Sequence, residues 1–465
     1  MNTGLCEPLE TSIPGLGPAK IPSPVRKPEE DHHNRGFVSD EDRIVVDVNI
    51  ANLVSTIESG NTPPTFELAG PREKIYFDPS KVRAALVTCG GLCPGLNDII
   101  RSIVLGLHYG YGVRNICGIR FGLQGFIPGY GHETIDLDPD RVTDIMNRGG
   151  SILGSSRGPQ SIDAIVDSLE RMNIGVLFMI GGEGTLMAAL RIADAILDRG
   201  LKISVIGIPK TIDNDILMVS RSFGFDTAVD VATGAIKGAH NEAQGYPNGI
   251  GLIKLMGRHS GFIAATATLA QQDVNFVLIP EIDVDLEGEN GLLRNLDKRL
   301  DDRGHAVVVV AEGFGQKFFE DAGQERDASG NIKLKDIGLY LKDRIKSYFA
   351  GKGVDVSLKY IDPSYMIRSL PANANDSVFC GFLGRGAVHA GMAGKTKMII
   401  SHWNNAFVHV PLPLCAGKRK QVTPQGRLWR TVLESTGQGS LPVSYTHLTL
   451  PTIPRWCRSR WSPCD

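Results

Sequence analysis

The chain has 465 residues, of which 42% are hydrophobic and 22% are charged, and its formal net charge at pH 7 is −2. These proportions are ordinary for a globular enzyme, and the near-neutral charge gives no support to a nucleic acid or an anionic membrane as a partner. The length predicts about two domains plus extensions, and no apolar run approaches the roughly 18 residues of a membrane span.

Two further features indicate the cellular compartment. The N-terminal region is acidic and lacks the apolar stretch of a secretory signal. The eight cysteines are spread along the chain without metal-ligand spacing, which is typical of a reducing compartment. We therefore expect a cytoplasmic protein.

The predicted elements begin after an N-terminal extension, residues 1–75, which is rich in Pro, Glu and Asp and has one short candidate segment at 43–54. Beyond it, apolar runs of strand length alternate with helical periodicity, which predicts an α/β fold with mostly parallel sheets covered by helices. The predicted strands are 82–88, 113–119, 174–180, 203–208, 250–255, 276–279 and 306–311. The predicted helices are 97–109, 185–199, 227–243, 261–270, 292–303 and 337–350.

Ligands of such folds bind at the carboxyl ends of the strands, so the loops that follow the strands are the candidate sites. The first is GGLCPGLN, residues 90–97. Its glycines let backbone N–H groups close on an anion at the start of a helix, although tight turns also need glycine. It contains neither the lysine loop of Walker A nor the GxGxxG pattern.

The second candidate loop is GGEGT, residues 181–185. A carboxylate between glycines at a strand end can hold a magnesium ion on a nucleotide whose phosphates approach the bare backbone. A turn at a helix N-terminus, where Glu183 or Thr185 favours the helix dipole, explains the same residues equally well.

The third candidate loop is PKTIDNDI, residues 209–216. A polar turn is the simple interpretation, because Asn and Asp are common turn formers. The functional interpretation is that Asp213 supplies a base for a substrate hydroxyl and Asp215 a second charge. Lys210 beside them can stabilise a transferring phosphoryl group.

Together the three loops resemble the phosphofructokinase family. The resemblance continues through MGRHSG at 256–261, AEG at 311–313 and KYIDPSYMIR at 359–368, and it covers about 82 to 437. It implies two similar α/β/α, Rossmann-like domains with the active site in the cleft between them. It also implies magnesium, with fructose 6-phosphate and ATP as substrates and phosphorylation at the sugar's 1-hydroxyl.

The resemblance implies roles for individual residues. Asp213 would be the general base, with Lys210 and Arg258 as further catalytic residues, and Glu183 would hold magnesium. The implied nucleotide-binding residues are Gly91, Arg157, Gly182, Glu183, Gly184 and Thr185. The implied sugar-phosphate-binding residues are Thr211, Asp215, Met256, Gly257, Arg258, Glu312, Tyr365 and Arg368. Arginine suits phosphate because its guanidinium pairs with phosphate oxygens in a bidentate fork.

The family divides between ATP and pyrophosphate as phosphoryl donor. Lys210 resembles the pyrophosphate-type loop, where the simpler ATP enzymes have glycine. Gly184 resembles the ATP type, because pyrophosphate enzymes have an aspartate there that would obstruct the nucleotide's α-phosphate. The pair is most similar to the ATP-dependent enzymes of plants and trypanosomatids, so we predict ATP, with pyrophosphate as the direct alternative.

Two other functions are alternatives to this prediction, and the sequence departs from the family pattern in two places. GGEGT is also similar to the loop of NAD and lipid kinases, and a non-catalytic phosphosugar sensor is a further alternative. Glu183 replaces the family's usual aspartate. The tail, residues 438–465, departs from the family pattern and is expected to be poorly ordered or foreign sequence.

The resemblance also implies a domain division and an assembly. The nucleotide-binding domain is predicted at 76–225 plus about 368–437, and the sugar-phosphate domain at 226–367. A homodimer or homotetramer is expected. Some relatives complete the sugar site with an arginine of a neighbouring subunit, but Asn248 lies at that place here.

Overall fold

The structure is a computed structural model that describes residues 9–25, 36–319, 325–326 and 332–439. Its strands form a large sheet, a small sheet and a two-stranded ribbon. The strands are β1 (Ile21–Pro22), β2 (Arg43–Val45), β3 (Thr65–Leu68), β4 (Lys74–Ile75), β5 (Arg83–Thr88), β6 (Asn115–Ile119), β7 (Ile135–Asp136), β8 (Val176–Gly181), β9 (Ser204–Pro209), β10 (Gly249–Leu255), β11 (Phe276–Leu278), β12 (His305–Ala311), β13 (Ser357–Ile361), β14 (Met398–Trp403) and β15 (Ala406–Pro411).

The large sheet has nine strands in the described part of the chain, in the order β2-β3-β15-β14-β9-β8-β5-β6-β7. Its centre, from β14 to β6, is parallel, and both edges are antiparallel. The central strands β8 and β9 are buried along their whole length. Because parallel strands are covered on both faces, they read in the sequence as continuous apolar runs.

The small sheet consists of four described strands in the order β11-β12-β10-β13, and every pairing is parallel. Its central strand β12 carries four consecutive buried valines, residues 307–310. Valine suits this position because its branched side chain packs well on a pleated surface. The molecule is therefore an α/β protein with two separate sheets, which confirms the predicted fold class.

The helices cover these sheets. They are α1 (Ile50–Glu58), α2 (Leu96–Leu105), α3 (Ile162–Arg171), α4 (Glu183–Asp198), α5 (Phe225–Gln244), α6 (Phe262–Gln271), α7 (Leu292–Arg303), α8 (Ile337–Gly351), α9 (Ser364–Ser369), α10 (Ala374–Met392), α11 (Leu412–Cys415) and α12 (Arg427–Thr436). Several begin with a side-chain cap. Ser161 Oγ accepts from Ala164 N, and Asn373 Oδ1 accepts from Asp376 N, each satisfying a backbone donor of the first turn.

Each of the seven predicted strands is present, with ends within two residues of the prediction. The predicted helix 97–109 ends as α-helix at Leu105 and continues as a π-helical turn, Gly106–Tyr111. The N-terminal extension contributes β2 and β3 to the edge of the large sheet and carries α1. These strands are short, and β3 joins the sheet by pairing with β15, where Leu68 lies opposite Val408, so local periodicity does not show them.

The predicted domain limits stay a prediction. The large sheet takes strands from 43–209 and 398–411, whereas the small sheet takes strands from 249–361. Most of the tail, residues 440–465, lies outside the described residues. Across the described ranges, no helix is long and apolar enough to cross a membrane.

Candidate active site

The three loops singled out in the sequence meet at the carboxyl edge of the large sheet. They follow β5, β8 and β9, which are neighbours in the sheet. Here they line a cleft of about 520 Å³, together with one arginine that follows β10 and another from α9. The predicted site residues that line this cleft are Gly91, Arg157, Gly182, Glu183, Gly184, Thr185, Lys210, Thr211, Asp213, Asp215, Arg258 and Arg368.

The loop after β5 presents bare backbone to the cleft. Gly90 has φ of +83°, which favours glycine, and its N–H donates to the carbonyl of Ser156 at 3.1 Å. A Cβ built on Gly91 would lie 3.4 Å from the Arg157 guanidinium and 3.9 Å from that of Arg368. Lys210 Nζ donates to the Gly91 carbonyl at 2.6 Å. Three cationic side chains thus surround Gly91, which is the arrangement an anionic ligand needs.

The loop after β8 turns directly into α4. A Cβ on Gly181 would overlap the side chain of Thr185, at 2.2 Å from its Oγ1, so the close turn requires glycine. Glu183 is the first residue of the helix, where its charge complements the dipole. Gly184 is different, because a Cβ there would meet no heavy atom of the described residues within 4 Å, apart from its chain neighbours and its own helix. The cleft beside Gly184 is therefore open. The helix-start interpretation of GGEGT is confirmed, and the ligand-loop interpretation stays a prediction.

The loop after β9 is held by its own side chains. Asn214 has φ of +53°, and its Oδ1 accepts from the N–H of Ser222 at 3.1 Å. Thr211 Oγ1 accepts from Asp213 N at 3.1 Å and donates to Asp215 Oδ1 at 3.2 Å. These bonds define a tight polar turn, and they also fix the two carboxylates relative to each other. The polar-turn and functional interpretations therefore describe the same structure.

Lys210 and Asp213 lie in unusual electrostatic surroundings. Burial, together with the neighbouring Arg368 and Arg157, lowers the pKa of Lys210. Burial, followed by repulsion from Asp215 and Glu312, raises the pKa of Asp213 to about 7. Asp213 Oδ1 is buried without a hydrogen-bond partner among the described residues. A carboxyl group in this situation is suited to accept a proton from a substrate hydroxyl.

The small sheet supplies the opposite wall of the cleft. Gly257 has φ of +130°, and a Cβ there would lie 2.4 Å from the carbonyl oxygen of Ser260, so only glycine fits this turn. The turn directs Arg258 into the cleft. Burial raises the pKa of the Glu312 carboxyl, although the neighbouring Arg368 and Arg258 act to lower it.

Four predicted substrate residues do not line the cleft: Met256, Gly257, Glu312 and Tyr365. Met256 is buried. Glu312 is half-buried and close enough to Asp213 to raise its pKa. Tyr365 is 85% exposed, so it contributes nothing to the cleft of this chain as it stands.

The sequence analysis missed Arg419, which lines the cleft. Its guanidinium hydrogen-bonds Glu183 Oε2 and lies 3.5 Å from Asp215 Oδ2. No local signal points to it, because Arg419 lies in a basic run, KRK at 418–420, that reads as a solvated surface segment. Only the path of the chain brings it to the two carboxylates.

Comparison with known proteins agrees with this geometry. The family model described as phosphofructokinase matches residues 83–391, which is more than half of the chain. The chain belongs to the phosphofructokinase family. The family resemblance predicted from the loops is thereby confirmed.

Individual phosphofructokinases are similar over most of the chain. An ATP-dependent 6-phosphofructokinase of Borreliella burgdorferi is 56% identical over 384 residues, covering 81% of this chain and 85% of that protein. ATP-dependent 6-phosphofructokinase 1 of Arabidopsis thaliana is 50% identical, with coverages of 81% and 79%. The ATP-dependent 6-phosphofructokinase of Trypanosoma cruzi is 44% identical, with coverages of 81% and 77%.

Solved phosphofructokinase structures share the fold. The crystal structure of a pyrophosphate-dependent phosphofructokinase from Marinobacter aquaeolei has a TM-score of 0.62 at 20% identity, covering 78% of this chain and 92% of that chain. The corresponding enzyme from Nitrosospira multiformis has a TM-score of 0.63 at 18% identity, with coverages of 83% and 100%. At this identity the likeness concerns architecture and not the phosphoryl donor.

Proposed function

We propose that the protein transfers the terminal phosphoryl group of ATP to the 1-hydroxyl of fructose 6-phosphate, giving fructose 1,6-bisphosphate and ADP, a reaction of glycolysis. One observation carries this proposal. Asp213 Oδ1, which is buried and has no hydrogen-bond partner in the described part of the chain, shares a cleft with buried Lys210 and with a glycine loop surrounded by cationic side chains. The relatives at 44–56% identity are named for the ATP-dependent reaction.

Asp213 is proposed as the general base. As the sugar's 1-hydroxyl oxygen attacks the phosphorus, its proton passes to the Asp213 carboxylate. The bond between phosphorus and the bridging oxygen of ADP breaks, and its electron pair stays on ADP. Lys210, fixed by its bond to the Gly91 carbonyl, provides positive charge where the transferring group gains negative charge. Positioning and charge stabilisation are what phosphoryl transfer chiefly requires.

The substrate phosphates are assigned to the arginines. Arg157 and Arg368 flank Gly91. Arg157 suits the nucleotide phosphates, and Arg368 suits the sugar phosphate or the transferring group. Arg258, on the opposite wall, suits the sugar phosphate, with Glu312 nearby for sugar hydroxyls. Thr211 holds the backbone N–H of Asp213 and the carboxylate of Asp215 through its two hydrogen bonds.

The residues present fit a magnesium ion. The described ranges contain no cluster of three or more His, Cys, Asp or Glu side chains that could hold a metal ion. Magnesium, however, is usually bound by one or two carboxylates together with substrate phosphates. Glu183 and Asp215 provide such a pair, and a cationic group of Arg419 already lies between them. When bound, the ion neutralises charge on the phosphate oxygens.

ATP is proposed over pyrophosphate as the donor. The open space beside Gly184 leaves room for a nucleotide, and Lys210 alone does not require pyrophosphate. The NAD-kinase or lipid-kinase alternative is disfavoured because the family match extends through the small sheet that supplies Arg258. A non-catalytic sensor would have no need of the buried base.

The proposal is tested by supplying the purified protein with fructose 6-phosphate and magnesium, with either ATP or pyrophosphate, and measuring fructose 1,6-bisphosphate. Product with ATP alone is expected. Product with pyrophosphate alone would show that pyrophosphate, and not ATP, is the donor. No product with either donor would refute the enzymatic function.

A homodimer or homotetramer and a cytoplasmic location complete the proposal. Val378 and Phe382 lie one turn apart on α10, and their side chains are 60% and 51% exposed. Contiguous exposed apolar surface is typical of subunit contacts, so we assign the proposed contact to this face of α10. Light scattering during size-exclusion chromatography gives the mass of the protein in solution, and the mass of a monomer would contradict the proposed assembly.

A further inference from the structure

A segment near the end of the described chain links the two walls of the cleft. We call residues 416–422 the C-terminal strap. On the large-sheet side, the strap pairs with the loop after β9 through Lys420 N, which donates to the Asp215 carbonyl at 2.8 Å. On the small-sheet side, Glu281 Oε1 accepts from Val422 N at 2.8 Å and from Gly261 N, at the start of α6, at 2.9 Å. The strap therefore crosses the cleft mouth.

The strap backbone is firmly held beside Arg419. Lys420 Nζ donates to the carbonyls of Val219 and Ser220 at 2.6 and 3.0 Å and to Asn214 Oδ1 at 3.1 Å. The backbone of Arg419 itself forms a bridge with that of Ile216. These bonds tie the strap to the loop after β9, whereas Arg419 lines the cleft.

The Arg419 guanidinium bridges the two carboxylates to which the metal was assigned. It hydrogen-bonds Glu183 Oε2, and its Nη1 lies 3.5 Å from Asp215 Oδ2. Asp215 is largely buried, with 10% of its side chain exposed, while Arg419 and Glu183 are each 29% exposed. Removal of the positive charge would leave two carboxylates facing each other in a partly dehydrated cleft, which costs free energy.

A metal ion and Arg419 need the same carboxylate oxygens, so they compete. We propose that Arg419 is an internal counter-cation that holds Glu183 and Asp215 in place and is exchanged for the metal ion when the metal–nucleotide complex binds. It is a positioning residue, since it acts on the reaction through the two carboxylates. This inference rests on the proposed function, because it assumes that these carboxylates hold the metal.

Competition has a measurable consequence without nucleotide or turnover. If Arg419 occupies the site, then replacing it with a neutral side chain should strengthen binding of a bare divalent cation. Ion pairs at partly exposed positions are individually weak, so the expected gain in affinity from removing the two of them is about tenfold, which corresponds to about 1.4 kcal/mol.

The experiment is a Mn²⁺ titration of the full chain, followed by electron paramagnetic resonance of the free ion. Arg419→Gln should bind Mn²⁺ about tenfold more tightly than the unmodified protein, and Arg419→Lys, which keeps the charge, should remain within about threefold of it. Lys418→Gln is the matched control. It removes the same charge from an exposed neighbouring position and should leave the affinity unchanged. Glu183→Gln should abolish the binding in either background.

The outcomes separate the exchange from the metal assignment. Equal Mn²⁺ affinity in the unmodified protein and Arg419→Gln, with binding still lost in Glu183→Gln, would overturn the exchange and leave the metal site intact. An equal gain in Lys418→Gln would also overturn it, because the effect would then be one of net charge. Absence of Mn²⁺ binding from all proteins, with and without ADP, would refute the metal site and the exchange together. If Arg419→Gln does not fold, a gain on Arg419→Met supports the exchange and no gain overturns it.

Discussion

Substitution of Gly184 tests the choice of phosphoryl donor. The residue is the second of α4 and lines the cleft, and a Cβ built on it meets no heavy atom of the described residues within 4 Å outside its chain neighbours and its own helix. Ala, Asn and Asp should therefore all fit the fold. An acidic residue in the first helical turn is even favoured by about 0.3 to 1 kcal/mol, so Gly184→Asp should melt close to the unmodified protein.

The expected loss concerns the nucleotide. A carboxylate roughly 5 Å from a phosphate repels it by about 3 kcal/mol at an effective dielectric constant of about 20, which corresponds to roughly 200-fold in affinity. Gly184→Asn has nearly the same shape without the charge and therefore measures the contribution of bulk alone. Gly184→Ala occupies only open space and should be close to the unmodified protein.

The assay is steady-state kcat/KM for ATP at saturating fructose 6-phosphate, with pyrophosphate as donor in parallel. We expect kcat/KM for ATP to fall in the order Ala, Asn, Asp, with the large step between Asn and Asp. If Asp stayed within about threefold of Asn while both proteins were folded, no phosphate would lie near Gly184, and the reasoning that favours ATP would be refuted.

Three further outcomes are expected. Asp213→Asn should lower kcat by about 10²- to 10⁴-fold while calorimetry still detects fructose 6-phosphate binding, and a near-normal kcat would show that Asp213 is not the base. Gly257→Ala should lower the free energy of unfolding by about 1 to 3 kcal/mol and raise KM for the sugar phosphate, because its backbone has φ of +130° and its Cβ would contact Ser260; unchanged melting would contradict this. His389 Nδ1 is hydrogen-bonded to Tyr111 OH, and burial lowers the pKa of His389 from 6.5 to about 4. The contribution of neutral His389 to the free energy of unfolding should therefore be fully present above pH 6.5. It should fall by about 3 kcal/mol toward pH 4, because the unfolded chain takes up the proton first. In denaturant titrations, His389→Gln should lack this part of the pH dependence.

Local sequence was sufficient to predict the three loops and the elements that carry them. The strands before 90–97, 181–185 and 209–216 are buried on both faces, so they appear as uninterrupted apolar runs. Their carboxyl ends meet at one edge of a parallel sheet as a matter of geometry. For this reason Lys210, Asp213 and Glu183 could be assigned to one site before any contact between them was known.

Tertiary structure decided what depends on distant parts of the chain. Arg419 lies 236 residues after Glu183, yet the two side chains are hydrogen-bonded to each other. The strands β2 and β3 are only three and four residues long, and β3 joins the sheet by pairing with β15. Such pairings leave no periodic pattern, because they are selected by the packed sheet and not by local propensity. The sequence by itself therefore determined the fold class, the candidate loops and the family, whereas the cation that bridges the two carboxylates was decided by the path of the folded chain.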